Sequence, residues 1–442
     1  MKPSIKEKIW NFGTKYAPLI KRIPLIRALA DGIYSHLAKA RTNEVYSPQY
    51  LEQFRKSARS AMPSCQLSGT PLGINIAGFI ETESGVGEAV RSNIRALEAL
   101  QVPYVLNNLE TVVRHCDRTF ESFSDDNPYR INLIHVNADQ VPAFIVDKGV
   151  GYFGGKYNIG SWVWELPEFP RKWQVLTQYF DEIWTPSSFC TNAISQHCDV
   201  SVKTVPYSIS GGNISHLNRS HFGLRDDCFM FLFMFDMLSI FERKNPLAVI
   251  ESFRSAFARS ENAMLVIKFV NAASNRLAAE KIADAIQGLR GKIIDQYMDK
   301  DEVHALMLMS DCYVSLHRSE GFGFTVAECM ALGKPVIATA YSGNMDFMNY
   351  HNSFPVRYQM ATLSKDYGPY SKGSTWADPD HMHAVELMRF VYENREEAAA
   401  RGEVAAKDIR NHLSPSAVGS IIKKRIEIIA CKMEANILQA NS

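Results

Sequence analysis

An α/β protein of two Rossmann-like domains, with parallel sheets facing a common cleft, is what the sequence predicts. Three observations predict it. Strand, glycine turn and helix follow one another twice, over residues 72–100 and again over 312–332, which is the order of a parallel α/β unit. Phe229-Met230-Phe231-Leu232-Phe233-Met234-Phe235 is an unbroken apolar run, suited to a strand covered on both faces. Between the two halves lies Ser208-Ile209-Ser210-Gly211-Gly212-Asn213-Ile214-Ser215, a polar and flexible stretch.

Size and composition set the frame for these elements. A chain of 442 residues is long enough for two domains and an extension, and 46% apolar with 21% charged residues is a globular balance. The net charge of +1 gives no argument for a nucleic-acid partner. Eight scattered cysteines without a C-x-x-C pair read as reduced thiols, not as a disulfide framework or a zinc site. No run of eighteen apolar residues offers a membrane span, and lysines interrupt every apolar stretch at the start of the chain, unlike a signal peptide. The expected division is an extension over 1–69, a first domain over 70–210, a linker over 211–227, a second domain over 228–414 and a last helix over 415–442. Residues 1–42 hold nine Lys or Arg against Glu7 and Asp31, interleaved with Trp10, Ile and Leu. That pattern suits an anionic membrane surface, and equally an extension packed on its own domain with a solvated basic face.

The first domain opens with a strand at 72–80, followed by the loop Glu81-Thr82-Glu83-Ser84-Gly85-Val86-Gly87-Glu88 and a helix with Val90, Ile94 and Leu97 on one face. Gly85 and Gly87 allow close approach of a phosphate or sugar, or serve as a tight turn; a third glycine, needed for the dinucleotide fingerprint, is missing. Strands follow at 102–106 and 130–137, the latter with His135 near its carboxyl end. His135 suits a hydrogen bond to a ligand or a satisfied structural role. In Ser161-Trp162-Val163-Trp164-Glu165 the two tryptophans share a face by alternation, as a sugar-stacking platform or as core. A helical stretch at 171–180, a strand at 182–185 and a helix from Pro186 complete the domain.

In the second domain, Arg243 and Lys244 stand where strand passes into helix. Lys244 suits the neutralisation of a phosphate, although ordinary solvated charges read the same way. Cys312-Tyr313-Val314-Ser315-Leu316 is a strand, Gly321 and Gly323 turn the chain, and a helix runs from Phe324 until Gly333 stops it. The start of that helix offers unpaired N–H groups to an anion. Glu320 lies before it and Glu328 within it. Carboxylates beside a phosphate site make sense as acceptors from sugar hydroxyls. Thr325-Val326-Ala327-Glu328 also fits a capping box, which would make Glu328 structural. A later helix is expected to start with Asp378 as cap and Pro379 in its first turn.

Glu320 and Glu328, with seven residues between them around a Gly-Phe-Gly turn, resemble the E-x7-E signature of retaining GT-B glycosyltransferases of group 1, also called family 4. The resemblance runs over about residues 72 to 430 and is strongest from 228 to 395. It implies that Glu328 binds the nucleotide ribose and that the amides of Gly321, Phe322, Gly323 and Phe324 hold the diphosphate. Glu320, His135 and Lys244 would be the catalytic set, with Glu320 and His135 beside the donor sugar and Lys244 at the β-phosphate. The loop of Gly85 and Gly87 would face the diphosphate across the cleft. The family usually carries an arginine five or six residues before the lysine. Here Leu238 and Ser239 stand there, leaving Arg243 or Lys268 as substitutes.

The implied reaction is transfer of a hexose, mannose-type favoured, from a GDP- or UDP-sugar with retention of configuration, needing no metal and no further cofactor. The implied acceptor is a glycan or lipid-linked oligosaccharide of surface polysaccharide synthesis, bound by the first domain. The expected location is the cytoplasm, with residues 1–42 as a means of peripheral seating on the membrane. Two other readings stay open: a non-catalytic sugar-nucleotide-binding subunit of a glycan-assembly complex, and an epimerase or phosphorylase on the same architecture.

Overall fold

The computed structural model describes residues 43–60, 71–109, 116–211 and 217–441. The basic segment 1–42 lies outside the described residues. Two six-stranded sheets form, and every pairing within them is parallel. The first contains β1 (Ile74–Gly78), β2 (Tyr104–Asn108), β3 (Ile131–His135), β4 (Tyr157–Ser161), β5 (Glu182–Thr185) and β6 (Ser201–Thr204), ordered β2-β1-β3-β4-β5-β6. The second contains β7 (Phe229–Asp236), β8 (Ala263–Val270), β9 (Gly291–Asp295), β10 (Cys312–Ser315), β11 (Val336–Thr339) and β12 (Phe354–Val356), ordered β12-β11-β10-β7-β8-β9.

Strand order therefore reverses beside β1 in one sheet and between β7 and β10 in the other. A crevice opens at such switch points, at the carboxyl ends of the strands. Both glycine loops leave from these places, one after β1 and one after β10. A ladder of buried amides helps fix the first sheet's register, with Asn75 Nδ2 donating to Asn132 Oδ1 at 2.9 Å and Asn132 Nδ2 to Asn158 Oδ1 at 2.8 Å.

Several stretches differ from their expected roles. The described part of the expected linker, residues 217–227, is docked on the second domain. Phe222 and Leu224 are buried in that domain's core, and Arg219 pairs with Asp311 at 2.7 Å. Within the expected extension, Val45, Leu51 and Phe54 are buried in the first domain, and the Phe54 ring lies 4.7 Å from that of Tyr179. Asp378 is not the helix cap; it ends up in β14 (Thr375–Pro379) and pairs with Arg318 at 3.0 Å. Asp380 caps the helix His381–Glu393 by accepting from the His383 amide. Trp162 and Trp164, which follow β4, are both buried in the first domain's core with Phe169 and Trp173. They are core, not an exposed platform.

Two elements tie the domains together. The C-terminal helix Pro415–Asn441 crosses back, burying Val418, Ile422, Ile426 and Ile429 against Val90, Ile94 and Leu97 of the first domain. Its Gly419 meets the Ala96 carbonyl with no room for a Cβ, and Arg425 Nε donates to the buried Glu182 at 2.8 Å. The second element is the antiparallel ribbon of β13 (Tyr358–Thr362) and β14. Its Leu363, Tyr370 and Trp376 are buried with Trp164 and Trp173 of the first domain.

A candidate active site between the two domains

The chain leaving β10 meets the first domain directly. Ser187 Oγ donates to the Gly321 carbonyl at 2.6 Å, and Ser319 Oγ donates to the Glu165 carbonyl. A Cβ on Gly321 would run into Val163, so the first glycine of the turn is demanded by the neighbouring domain. Gly323 caps the helix Phe324–Ala331 at φ +96°, where a side chain would be strained. Among the described residues, the amides of Gly321, Phe322, Gly323 and Phe324 have no hydrogen-bond acceptor. Open amides at a helix start form an anion cradle. The Phe322 side chain is core, buried against Tyr207 and Phe347, while the Phe324 ring stacks on Tyr207 at 5.1 Å.

Glu320 is buried in the interface. Lys244 Nζ donates to its Oε1 at 2.5 Å, and Arg243 Nη1 pairs with its Oε2 at 3.1 Å. Burial alone would raise this carboxyl, but the Lys244 and Arg243 charges prevail and hold it down at about 2. For Lys244 burial wins, and its pKa is lowered. Solvated charges were one reading of Arg243 and Lys244. Arg243, only 6% exposed, is instead built into the site. It supplies a cation where the family's arginine position holds Leu238, which points outward at 62% exposure. Lys268 is also buried, but its electrostatic neighbours are Asp236 and Glu83, away from Glu320.

Glu328 sits in the helix, half-buried in the cleft wall. It is not part of a capping box. Gly323 holds the cap position, and the Thr325 hydroxyl is occupied by Tyr313 O–H at 2.7 Å. No hydrogen-bond donor among the described residues reaches its carboxylate. Burial and the facing Glu88 push it up to about 8, against weaker pulls from Lys300 and Arg95. Glu88 belongs to the opposite domain, in the helix Gly85–Ala99. It pairs with Arg95, with Arg91 at 3.2 Å, and with Lys300 across the cleft at 3.5 Å.

The first domain's glycines have different roles. Ser84 caps the helix by accepting from the Gly87 amide, and Gly87 has no room for a Cβ against the Thr82 carbonyl. Gly85 is exposed to open space. His135 ends β3 but is buried, with Nε2 3.1 Å from Asn93 Nδ2 and Cβ packed on Gly78. Burial lowers its pKa to about 3, so it is neutral. No contact among the described residues joins it to Glu320 or Lys244.

Sequence reasoning missed Glu165 and Tyr370 as site residues. Glu165, after β4, lies 3.8 Å from Arg243 Nη2 and accepts from Tyr370 O–H at 2.9 Å. It also missed His317, buried under the site with Nδ1 on Ser315 and Nε2 on Asn344, each at 3.0 Å. Among the described residues, no group of three or more His, Cys, Asp or Glu side chains is placed to hold a metal. No described helix is long and apolar enough to cross a membrane.

Residues 233–408 match the family described as glycosyl transferases group 1. HepE of Anabaena, solved with UDP and glucose, aligns with a TM-score of 0.58 at 11% identity, over 81% of this chain and 100% of its own. Sucrose-phosphate synthase of Thermosynechococcus elongatus gives 0.61 at 12%, over 82% and 100%. A glycosyltransferase of Rickettsia africae gives 0.59 at 13%, over 82% and 99%. No curated protein matches by sequence. The fold is GT-B, and the family match with that fold supports a glycosyltransferase.

Proposed function

We propose that this protein is a retaining glycosyltransferase that moves a hexose from a nucleoside-diphosphate sugar to a hydroxyl of a glycan or lipid-linked glycan. The observation that carries the reading is the Glu328 carboxylate, set in the cleft wall without a donor among the described residues. A carboxylate taken partly out of water gains from hydrogen-bond donors, and a ribose diol supplies two. The open amides of Gly321, Phe322, Gly323 and Phe324 then take the diphosphate. Glu320, fixed by Lys244 and Arg243, accepts from hydroxyls of the donor sugar. Lys244 has three N–H donors and gives one to Glu320, leaving two for the leaving phosphate.

In this scheme the bond from the anomeric carbon to the phosphate oxygen breaks as the bond to the acceptor oxygen forms on the same face. The acceptor's proton passes to the departing diphosphate. Catalysis rests on positioning and on charge stabilisation at the leaving group. UDP-glucose and GDP-mannose represent the two donor classes, the first by analogy with HepE, which was solved with it. The exposed Leu238 at the expected arginine position favours a second reading, a binding subunit without turnover.

The test is release of nucleoside diphosphate from each donor with a panel of glycan acceptors. Acceptor-dependent release, and an α-linked product from an α-linked donor, is the expected result. Donor binding without turnover over the whole panel selects the binding subunit. Residues 1–42 are proposed to seat the enzyme at an anionic membrane, so their removal lowers binding to phosphatidylglycerol liposomes.

A further inference from the structure

Glu165 belongs to the first domain, while Arg243 and Glu320 belong to the second. Resting on the transferase reading, we infer that Glu165 is a positioning residue that sets Glu320 through Arg243 when the domains are closed. The contacts form one line. Tyr370 O–H donates to Glu165 Oε2 at 2.9 Å, Glu165 Oε1 faces Arg243 Nη2 at 3.8 Å, and Arg243 Nη1 holds Glu320 Oε2 at 3.1 Å.

Arg243 is poorly satisfied without Glu165. Its Nη1 serves Glu320 and the Ser319 carbonyl, while its Nε is buried with no partner. Nη2 has only the Glu165 carboxylate among the described contacts. The buried Arg243 and the half-buried Lys244 also face the single charge of Glu320, so Glu165 supplies the second negative charge that balances them.

Glu165 is itself fixed by packing. Tyr370, 3% exposed, comes from the ribbon of β13 and β14 and sets its ring edge-on to Trp164 at 5.4 Å. The Glu165 carbonyl receives Ser319 Oγ, one residue before Glu320. The ribbon, the first domain and the sugar-facing carboxylate thus meet at one side chain. A domain movement that separates Glu165 from Arg243 would free the guanidinium to turn away from Glu320.

The test uses the full chain. Glu165→Gln keeps the shape and can still accept from Tyr370, so a purely structural brace survives it. We expect kcat to fall ten- to a hundredfold, the scale of a misplaced reacting group, with the dissociation constant for the nucleoside diphosphate within about twofold of wild type. Tyr370→Phe lowers kcat by a smaller factor, and adds nothing to either kcat or melting temperature in a Glu165→Ala background. A wild-type kcat in Glu165→Gln, equal losses of kcat and nucleotide affinity, or additive effects of Tyr370→Phe each overturn the inference. Should the wild type neither bind nucleotide nor consume a donor, the transferase reading fails. The melting-temperature cycle then decides the Tyr370–Glu165 link alone, and additivity there overturns it.

Discussion

Glu320 and Glu328 share one short motif, yet their surroundings treat them in opposite ways. Glu320 is clamped between Lys244 and Arg243 and held ionised, at about 2. Glu328 has no cation within hydrogen-bond reach among the described residues, faces Glu88, and is pushed up to about 8. Glu320 is buried and Glu328 half-buried, so burial alone does not explain shifts in opposite directions. What separates them is which charges the fold brings near, and this assigns them different work. The first is a fixed acceptor present before any ligand arrives. The second is an incomplete site that a ligand's hydroxyl donors would complete.

The sharpest way to break this contrast is to remove the clamped carboxylate. Glu320→Gln should lower transfer by about 10²-fold or more, the scale of losing a key polar contact. It should also destabilise the protein, by about 3–5 kcal/mol if the buried Arg243 is left uncompensated, read as a lower melting temperature. Glu328→Ala should do the reverse. Donor affinity falls by about tenfold, the worth of a hydrogen bond to a charged group, while the melting temperature is unchanged or rises near pH 8. Equal thermal losses in the two variants would erase the distinction.

Titration sharpens the contrast with a smaller effect. The pKa of Glu328 is raised above its ordinary 4.5, so its contribution to stability is full below that value and is lost as pH rises through about 8. The pKa of Glu320 is depressed, so its contribution is full above 4.5 and is lost as pH falls toward about 2. Glu328→Gln should therefore flatten the decline in melting temperature between about pH 5 and 8 that linkage predicts. An unchanged slope would place the raised titration on some other group.

The sequence carried the parts of this account that depend on local chemistry. The strand of Phe229 to Phe235, the glycine turns and the helix stop at Gly333 all follow from period and turn chemistry. What escaped depends on pairing over long separations. Glu165 and Tyr370 are 205 positions apart, and Ser319 and Glu165 are 154 apart. Arg243 looks like a solvated charge at a helix start until the first domain covers it. His135 shows the converse, because its place at the end of β3 was legible and its partner Asn93, on the helix Gly85–Ala99, was not. The alternation of Trp162 and Trp164 could not show that β4 stops at Ser161 and that Phe169, Trp173 and the distant Tyr370 cover Trp164.

The measurement that tests the central claim most directly is calorimetry of UDP-glucose and GDP-mannose binding, in buffers of differing ionisation enthalpy, for wild type and Glu328→Gln. Both donors are fully ionised near neutral pH, so proton exchange reports the protein. If ribose hydroxyls donate to Glu328, binding selects its ionised form. One donor then binds wild type with release of up to one proton near pH 7, and binds Glu328→Gln more weakly with none. Binding that releases no proton, or releases the same in the variant, would contradict the assignment of Glu328 to the nucleotide.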